Sequence, residues 1–386
     1  MIFFRNLIFH FQKRFAKEKD NSDRHPYSIL FLFNGGLGDA CHVIPILFAL
    51  REKYHPIQIE MLFASGISKD FVQFFFPDIA GIIASDLNTI KKKVQQLLKW
   101  RRKSFDYVLS GAHLRSLKTA IIAYLICRKK SIGIDSEKFS FLYDIILTSP
   151  NSKYFYDRYE ILFGHLKLHY SDLQYGEKKF REELKRIAQI HIPRGLGQRK
   201  HSLRIAFGNG DDRIIRGRWN PSLKRIPKGL FLDVSKMLKH EIQVEFVLLG
   251  VKEDPFPDAL ESDSCVLDMR GKTNLQGLIS MLHHVDLLIC NDCGILHLAY
   301  YCGTSYLGLY GPTDAEQFGP SKASSNIIQA QGICSKCYPI PSCDRDYCEL
   351  LASLDVGLII SLVQYTLQHN YIKKETQDIM VSVSET

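Results

Sequence analysis

The stretch Ile29-Leu30-Phe31-Leu32-Phe33-Asn34-Gly35-Gly36-Leu37-Gly38-Asp39 runs an apolar block straight into a glycine-rich turn that ends on an acid. The block predicts a buried strand, and the apolar-periodic segment after the turn predicts a helix. Such a unit sets backbone N–H groups and a helix N-terminus at the C-terminal edge of a sheet. Open α/β sheets bind ligands at that edge, anions above all. The pattern recurs downstream, where Asp286–Cys290 leads into Asn291-Asp292-Cys293-Gly294-Ile295-Leu296-His297. Two such edges in one chain predict two sheets facing each other across a cleft.

Working outward, 386 residues suit two domains rather than one core. Residues 1–27 read as a basic and aromatic leader. Strands and helices alternate over 28–192, which predicts an α/β fold with a parallel, doubly wound sheet. Strands are expected at Ser28–Asn34, Ile57–Phe63, Asp106–Ser110 and Ser131–Ile134, with helices at Ala40–Lys53, Thr89–Lys103, Ser116–Arg128, Arg158–Leu166 and Glu177–Ile190. Residues 193–202, opening Pro193-Arg194-Gly195, have breakers and charge without apolar period, so they read as a linker. A second α/β domain follows over 203–352, with a cysteine cluster at 334–348. A closing helix over 353–373 is expected to pack back on the first domain, and 374–386 reads as a loose tail.

Hydrophobic residues make up 46% and charged residues 24%, an ordinary globular balance. No window holds 18 uninterrupted apolar residues, so no transmembrane helix is expected, and the N-terminus lacks the small-residue cleavage site of a signal peptide. The leader pairs Phe3, Phe4, Phe9 and Phe11 with Lys13, Arg14, Lys17 and Lys19. Such a segment can lie on an anionic membrane surface, or it can be a frayed end. The net charge is +9, with bases clustered at Lys91–Lys93, Lys99–Lys103 and Arg213–Lys228. Each cluster is either a solvated face or a contact for a polyanion: phosphorylated lipid, nucleotide diphosphate or nucleic acid.

Four segments together resemble glycosyltransferase family 9, the heptosyltransferases of bacterial lipopolysaccharide synthesis. They are Gly36-Leu37-Gly38-Asp39-Ala40-Cys41-His42-Val43-Ile44-Pro45, Gly271-Lys272-Thr273-Asn274-Leu275, Asn291-Asp292-Cys293-Gly294-Ile295-Leu296-His297-Leu298-Ala299 and Tyr310-Gly311-Pro312-Thr313-Asp314. The resemblance implies a GT-B architecture of two Rossmann-like domains. It also implies inverting transfer of a heptose from ADP-heptose to an anionic glycolipid, the lipopolysaccharide inner core. The implied enzyme needs no cofactor or metal for catalysis, binds no nucleic acid, and works in the cytoplasm or peripheral to the inner membrane.

Inverting transfer needs a base for the acceptor hydroxyl and positive partners for the leaving diphosphate. The resemblance makes Asp39 the base; a helix cap is the alternative role for an acid at that turn. It maps the phosphate-contacting lysine onto Lys224 in Leu223-Lys224-Arg225-Ile226-Pro227, with Ile226 where the family carries tryptophan. Arg218-Trp219-Asn220-Pro221 is a second register for the same segment. Asp292, Gly294, His297, Thr313, Gly271, Lys272 and Thr273 complete the expected donor side. Asp292 orients Lys224 or receives sugar hydroxyls; His297 either donates to phosphate or is a satisfied buried histidine. Gly208-Asn209-Gly210 offers N–H donors or is an ordinary turn. Gly38, His113 and Arg115 are the acceptor-side candidates. The sequence departs from the family at Ser110, where many members carry an acid, and at Tyr154–Arg158, where a histidine is common.

Of 10 cysteines, Cys334, Cys337, Cys343 and Cys348 fall within fifteen residues. Their C-x-x-C opening is metal-like, so they are candidate ligands of a structural zinc or iron ion; free thiols or a disulfide are the alternative. Two rival functions stand beside the heptosyltransferase. One keeps the chemistry with another nucleotide sugar or a protein acceptor such as an autotransporter. The other is a non-catalytic metal- or nucleic-acid-binding protein, which lacks an RNA-reading aromatic motif here.

Overall fold

The computed structural model describes residues 28–110, 117–134, 139–148, 153–191, 203–210, 221–322, 326–332, 334–338, 343, 345 and 347–369. In the first half β1 (Ser28–Phe33), α1 (Leu37–Lys53), β2 (Gln58–Phe63), α2 (Gly66–Phe75), β3 (Ala80–Ile83), α3 (Ile90–Lys103), β4 (Tyr107–Ser110), α4 (Leu117–Ile126), β5 (Lys130–Ile134) and β6 (Ile145–Leu147) alternate. Two helices follow, α5 (Asp157–Gly164) and α6 (Tyr170–Ile190). The strands form a six-stranded sheet in the order β3-β2-β1-β4-β5-β6. Each recorded pairing is parallel, with Ser28 beside Gln58 and Ile29 beside Tyr107 on the two flanks of β1.

The second half repeats this plan. Its elements are β7 (Leu203–Gly208), α7 (Lys228–Glu241), β8 (Val244–Leu249), α8 (Asp258–Glu261), β9 (Val266–Asp268), α9 (Leu275–His284), β10 (Leu287–Asn291), α10 (Gly294–Cys302), β11 (Tyr306–Tyr310), α11 (Ala315–Phe318), β12 (Ile327–Gln329) and α12 (Glu349–Ala352). A last helix, α13, spans 356–369. The sheet order β12-β11-β10-β7-β8-β9 mirrors the first sheet, numbered within its own half. In each sheet the strand order reverses beside the half's first strand. That is the switch point where ligands bind in folds of this type. The expected two Rossmann-like sheets are present.

Residue alternation explains why both faces of each sheet are covered. Ile29, Phe31 and Phe33 point to one face of β1 and join the core under α1, whereas Leu30 and Leu32 point to the other, under α3 and α4. Phe31 and Phe33 are fully buried, and each contributes about 1.5–3 kcal/mol of hydrophobic stabilisation. Helix starts are capped locally. Ser65 accepts from the Ser68 amide, Thr89 from Lys92 and Asn274 from Gly277.

The halves share apolar core. One cluster runs from Phe31 and Leu47 through Phe180 of α6 to Ile279 of α9 and Leu296 of α10. Arg181 of α6 donates to the carbonyls of Tyr300 and Tyr301 across the same junction. Helix α6 therefore bridges the halves. The closing helix was expected to do this, and that expectation is corrected. Over its described residues, Ile359, Ile360 and Val363 of α13 pack into the second half's core with Phe207, Phe231 and Leu351. Gln364 also donates to Glu241 of α7. The apolar stripe of α13 matches its own sheet, whereas α6 offers Phe180, Leu184 and Ile187 to both halves. The expected leader, linker and tail lie outside the described residues.

Candidate active site

Helices α1 and α10 both begin beside a switch point, α1 after the first strand of its half and α10 after the fourth strand of its own. Asp39 is the third residue of α1, and its Oδ2 accepts from the Gly36 amide at 2.8 Å. This satisfies one of the open N–H groups at the helix start, where negative charge is favoured. A Cβ on Gly35 would lie 2.3 Å from the Asp39 Cβ, so only glycine lets the carboxylate fold back over the turn. Asp39 does cap its helix, and capping occupies Oδ2.

The turns touch. A Cβ on Gly38 would sit 2.8 Å from His297 Cδ2, and one on Gly294 would sit 2.7 Å from the Leu37 Cβ. Both glycines thus admit the opposing half. Gly294 was expected to admit a ligand; its open side meets Leu37 instead.

A buried polar chain crosses this contact. The Tyr301 hydroxyl lies 3.0 Å from His42 Nδ1, and His42 Nε2 lies 3.0 Å from His297 Nδ1. His297 Nε2 is 3.9 Å from Asp292 Oδ1. Every ring nitrogen is matched if Tyr301 donates to His42, His42 to His297, and His297 points its remaining N–H toward Asp292. Tyr156 stacks on His42 at 3.6 Å between ring centroids. Burial holds His42 well below the usual histidine range, and neighbouring His297 lowers it further. Burial also raises the Tyr156 phenol, and the charges of Asp39 and then Asp292 raise it more.

In the second half, the asparagines that follow β7 and end β10 hold one segment by its backbone. Asn209 Oδ1 accepts from the Ile226 amide at 2.7 Å, and Asn209 Nδ2 donates to the Ile226 carbonyl at 3.1 Å. Asn291 Nδ2 donates to the carbonyls of Gly210 and Lys224. The segment is anchored further by Ile226, buried in the second core where the family carries tryptophan. Lys224 Nζ is thereby set 2.8 Å from Asp292 Oδ2, with both side chains 8% exposed, and 5.1 Å above the Tyr338 ring. Burial pushes the Asp292 carboxyl up, but the Lys224 charge and the His297 contact outweigh it. The group ends well below the usual carboxylate range.

Two buried oxygens beside this pair, Asn291 Oδ1 and Thr313 Oγ1, have no hydrogen-bond partner among the described residues. Such atoms are costly unless a ligand or water meets them. Asp314 caps α11 through the Glu316 amide and pairs with Lys336 at 3.0 Å. Gly271, Lys272 and Thr273 follow β9 on the same sheet edge. Gly271 takes φ +65° and donates to the Gly250 carbonyl, and Lys272 Nζ donates to the Asp268 carbonyl. Ser110 accepts the Tyr143 hydroxyl at 2.9 Å inside the first half. His113, Arg115 and the alternative register Arg218–Asn220 lie outside the described residues.

Sequence reading missed His42, Tyr301 and Tyr338 as members of this site, and named Tyr156 only within the segment Tyr154–Arg158. His42 carried a signal: it is the one residue in the run Ala40–Leu50 that can carry a positive charge. The tyrosines carried none, because their partners are 100 or more residues distant.

Cys334, Cys337, Cys343 and Cys348 are free thiols, and among the described residues no group of three or more His, Cys, Asp or Glu is arranged to hold a metal ion. The thiols are near enough for their charges to raise Cys337 and Cys348, after burial has done so. Cys348, however, serves as the N-cap residue of α12 and turns its Sγ to within 3.0 Å of a Cβ built on Gly311.

Comparison with known proteins agrees with this fold. The family model described as glycosyltransferase family 9 (heptosyltransferase) matches residues 93–347, beginning after the first signature. The chain is 21% identical over 350 residues to lipooligosaccharide heptosyltransferase 2 of Campylobacter jejuni, covering 87% of this chain and 97% of the relative. A family 9 glycosyltransferase structure from Veillonella parvula superposes with a TM-score of 0.63 at 19% identity, covering 92% of this chain and 99% of that one. The E. coli ADP-heptose lipopolysaccharide heptosyltransferase II structure gives 0.60 at 16% identity, covering 89% and 99%.

Proposed function

The chain belongs to glycosyltransferase family 9, and on that footing we propose that it moves a heptose from ADP-heptose to a lipopolysaccharide inner-core acceptor, with inversion at the anomeric carbon. The names of the Campylobacter and E. coli proteins support the sugar and the nucleotide. The observation that carries the chemistry is the apposition of the two turns. It brings an acid of one half, Asp39, toward the ion pair Lys224–Asp292 of the other.

In this reading Asp39 removes the proton of an acceptor hydroxyl as its oxygen attacks the anomeric carbon. The bond to the ADP oxygen breaks on the opposite side, and ADP leaves with the electron pair. Lys224 and the N-terminus of α10 meet the growing negative charge on the diphosphate. Asp292 keeps Lys224 in place and offsets the cost of burying its ammonium group. Asn291 Oδ1 and Thr313 Oγ1 accept hydrogen bonds from the donor, and Gly271–Thr273 border the nucleotide. Gly38 flanks the acceptor, with His113 and Arg115 assigned to the acceptor side from sequence. The reading needs no catalytic cofactor or divalent cation, since protein groups meet the diphosphate charge. The enzyme would act on the cytoplasmic side of the membrane that carries its acceptor. Metal analysis of purified protein decides whether the four clustered cysteines hold a structural ion.

The test is thermal stabilisation and transfer with a panel of nucleotide sugars, comparing wild type with Asp39→Asn. ADP and ADP-heptose should stabilise both proteins, while turnover falls about a hundred- to ten-thousand-fold in the variant. Preference for a UDP or GDP sugar would replace the donor. Unchanged turnover in Asp39→Asn would remove Asp39 as base.

A further inference from the structure

Helices α3 and α4 lie side by side over the sheet face opposite α1. Leu97 and Trp100 of α3 and Ala123 and Ile126 of α4 fill one core cluster beneath them. Arg101 reaches across to the Leu125 carbonyl at 2.6 Å. The outward faces do not turn polar in the usual way. On α3, Ile90, Val94 and Leu98 recur at i, i+4 and i+8; on α4, Leu117, Ile121 and Leu125 do the same. All six are between 40% and 80% exposed. Helix α4 carries a single charge, Lys118, in ten residues. A helix apolar on all sides belongs in a core or against lipid, yet among the described residues α4 has protein on one side only.

The charge on α3 has one sign. Helix α3 holds seven Lys or Arg side chains and no acid. Lys91, Lys92, Lys93, Lys99 and Arg102 pair with no carboxylate among the described residues, whereas Lys103 is held by Glu60. In a parallel α/β half the helices start at the C-terminal edge of the sheet. Ile90 and Leu117 therefore stand at the edge that carries the candidate site, and the stripes lead away from it.

We propose that the α3–α4 face docks this protein onto an anionic lipid bilayer, with the six aliphatic side chains entering the headgroup boundary and the α3 cations facing lipid phosphates. Aliphatic stripes flanked by unpaired cations match a surface that is apolar just below a negative plane. The inference deepens the acceptor side of the function above, since a lipid-borne acceptor lies in such a plane, but it does not depend on the sugar or the nucleotide.

Flotation of the full chain with phosphatidylcholine vesicles, with and without phosphatidylglycerol, tests it. Wild type should float with the anionic vesicles, stay behind with neutral ones, and be released by added salt. Lys91→Glu/Lys92→Glu should weaken partitioning at least tenfold, at roughly fivefold per cation lost near the surface. Ile121→Asp/Leu125→Asp should weaken it comparably, while Lys236→Glu on α7 should not. Thermal midpoints and ADP-induced stabilisation, which report fold and donor site, should match wild type in all three. Binding that both α3 and α4 variants retain would overturn the proposal and move any membrane contact elsewhere on the chain. A concentration-dependent dimer abolished by the same variants, without vesicle binding, would overturn it in favour of self-association. Loss of ADP response in wild type would sink the transferase reading alone and leave the vesicle result standing.

Discussion

Lys224 and Asp292 show how a residue's meaning depends on its partner. Each is a buried charge, and together they form an ion pair at 2.8 Å. Removing one partner strands the other, which typically costs about 3–5 kcal/mol. Lys224→Met should therefore lower the unfolding free energy by that order, and Lys224→Met/Asp292→Asn should recover most of it without recovering turnover. Equal stability of Lys224→Met and wild type would mean that the pair is not buried in solution. His42 poses a question of sign. Its folded pKa is lowered by burial and by His297, so between that value and about 6.5 the unfolded chain binds the extra proton. Stability should fall as pH drops below about 6.5, by at most about 1.4 kcal/mol per pH unit for this one group. Tyr156 and Tyr301 stay protonated and Asp292 stays ionised across that window, so they add no slope. Chemical denaturation of His42→Gln from pH 7.5 to 5.5 should show a shallower decline; an identical slope would remove His42 as the source.

At the scale of elements, the two signature helices are placed by glycines rather than by side chains. Gly38→Ala and Gly294→Ala each push a methyl to 2.8 Å or less from the other half. Overpacking of this kind costs about 1–3 kcal/mol. Gly229, also in a helix, has nothing within 4 Å of its Cβ position. Gly229→Ala should be neutral or stabilising by up to about 1 kcal/mol. Thermal melts of the three variants separate crowding from propensity; a loss in Gly229→Ala equal to the others would refute the contact argument. Gly176 of α6 makes the same point at a crossing, since a Cβ there would fall 2.0 Å from the Pro45 carbonyl of α1. Pro45 lies inside α1 and cannot donate to the carbonyl one turn back.

The whole molecule has two sheets but a shared apolar core, with α6 joined to both. Domains linked by a small polar interface unfold separately. Here calorimetry should give one cooperative transition for both halves, and two resolved transitions would mean that the junction is weak in solution. The sequence by itself determined the α/β class, most of the strands and helices, and the two turns with Asp39 and Asp292. All of these rest on local signals: apolar period, glycine position and capping chemistry. It passed over β3, β6 and β12, edge strands of three or four residues, too short for a period to emerge. Only the tertiary structure decided that the two turns touch, that His42 meets His297 across 255 residues, and which side of α4 is left uncovered. It also put α6 rather than α13 at the junction. Contacts between distant segments depend on shape and burial summed over the whole fold, and no window of sequence contains that sum.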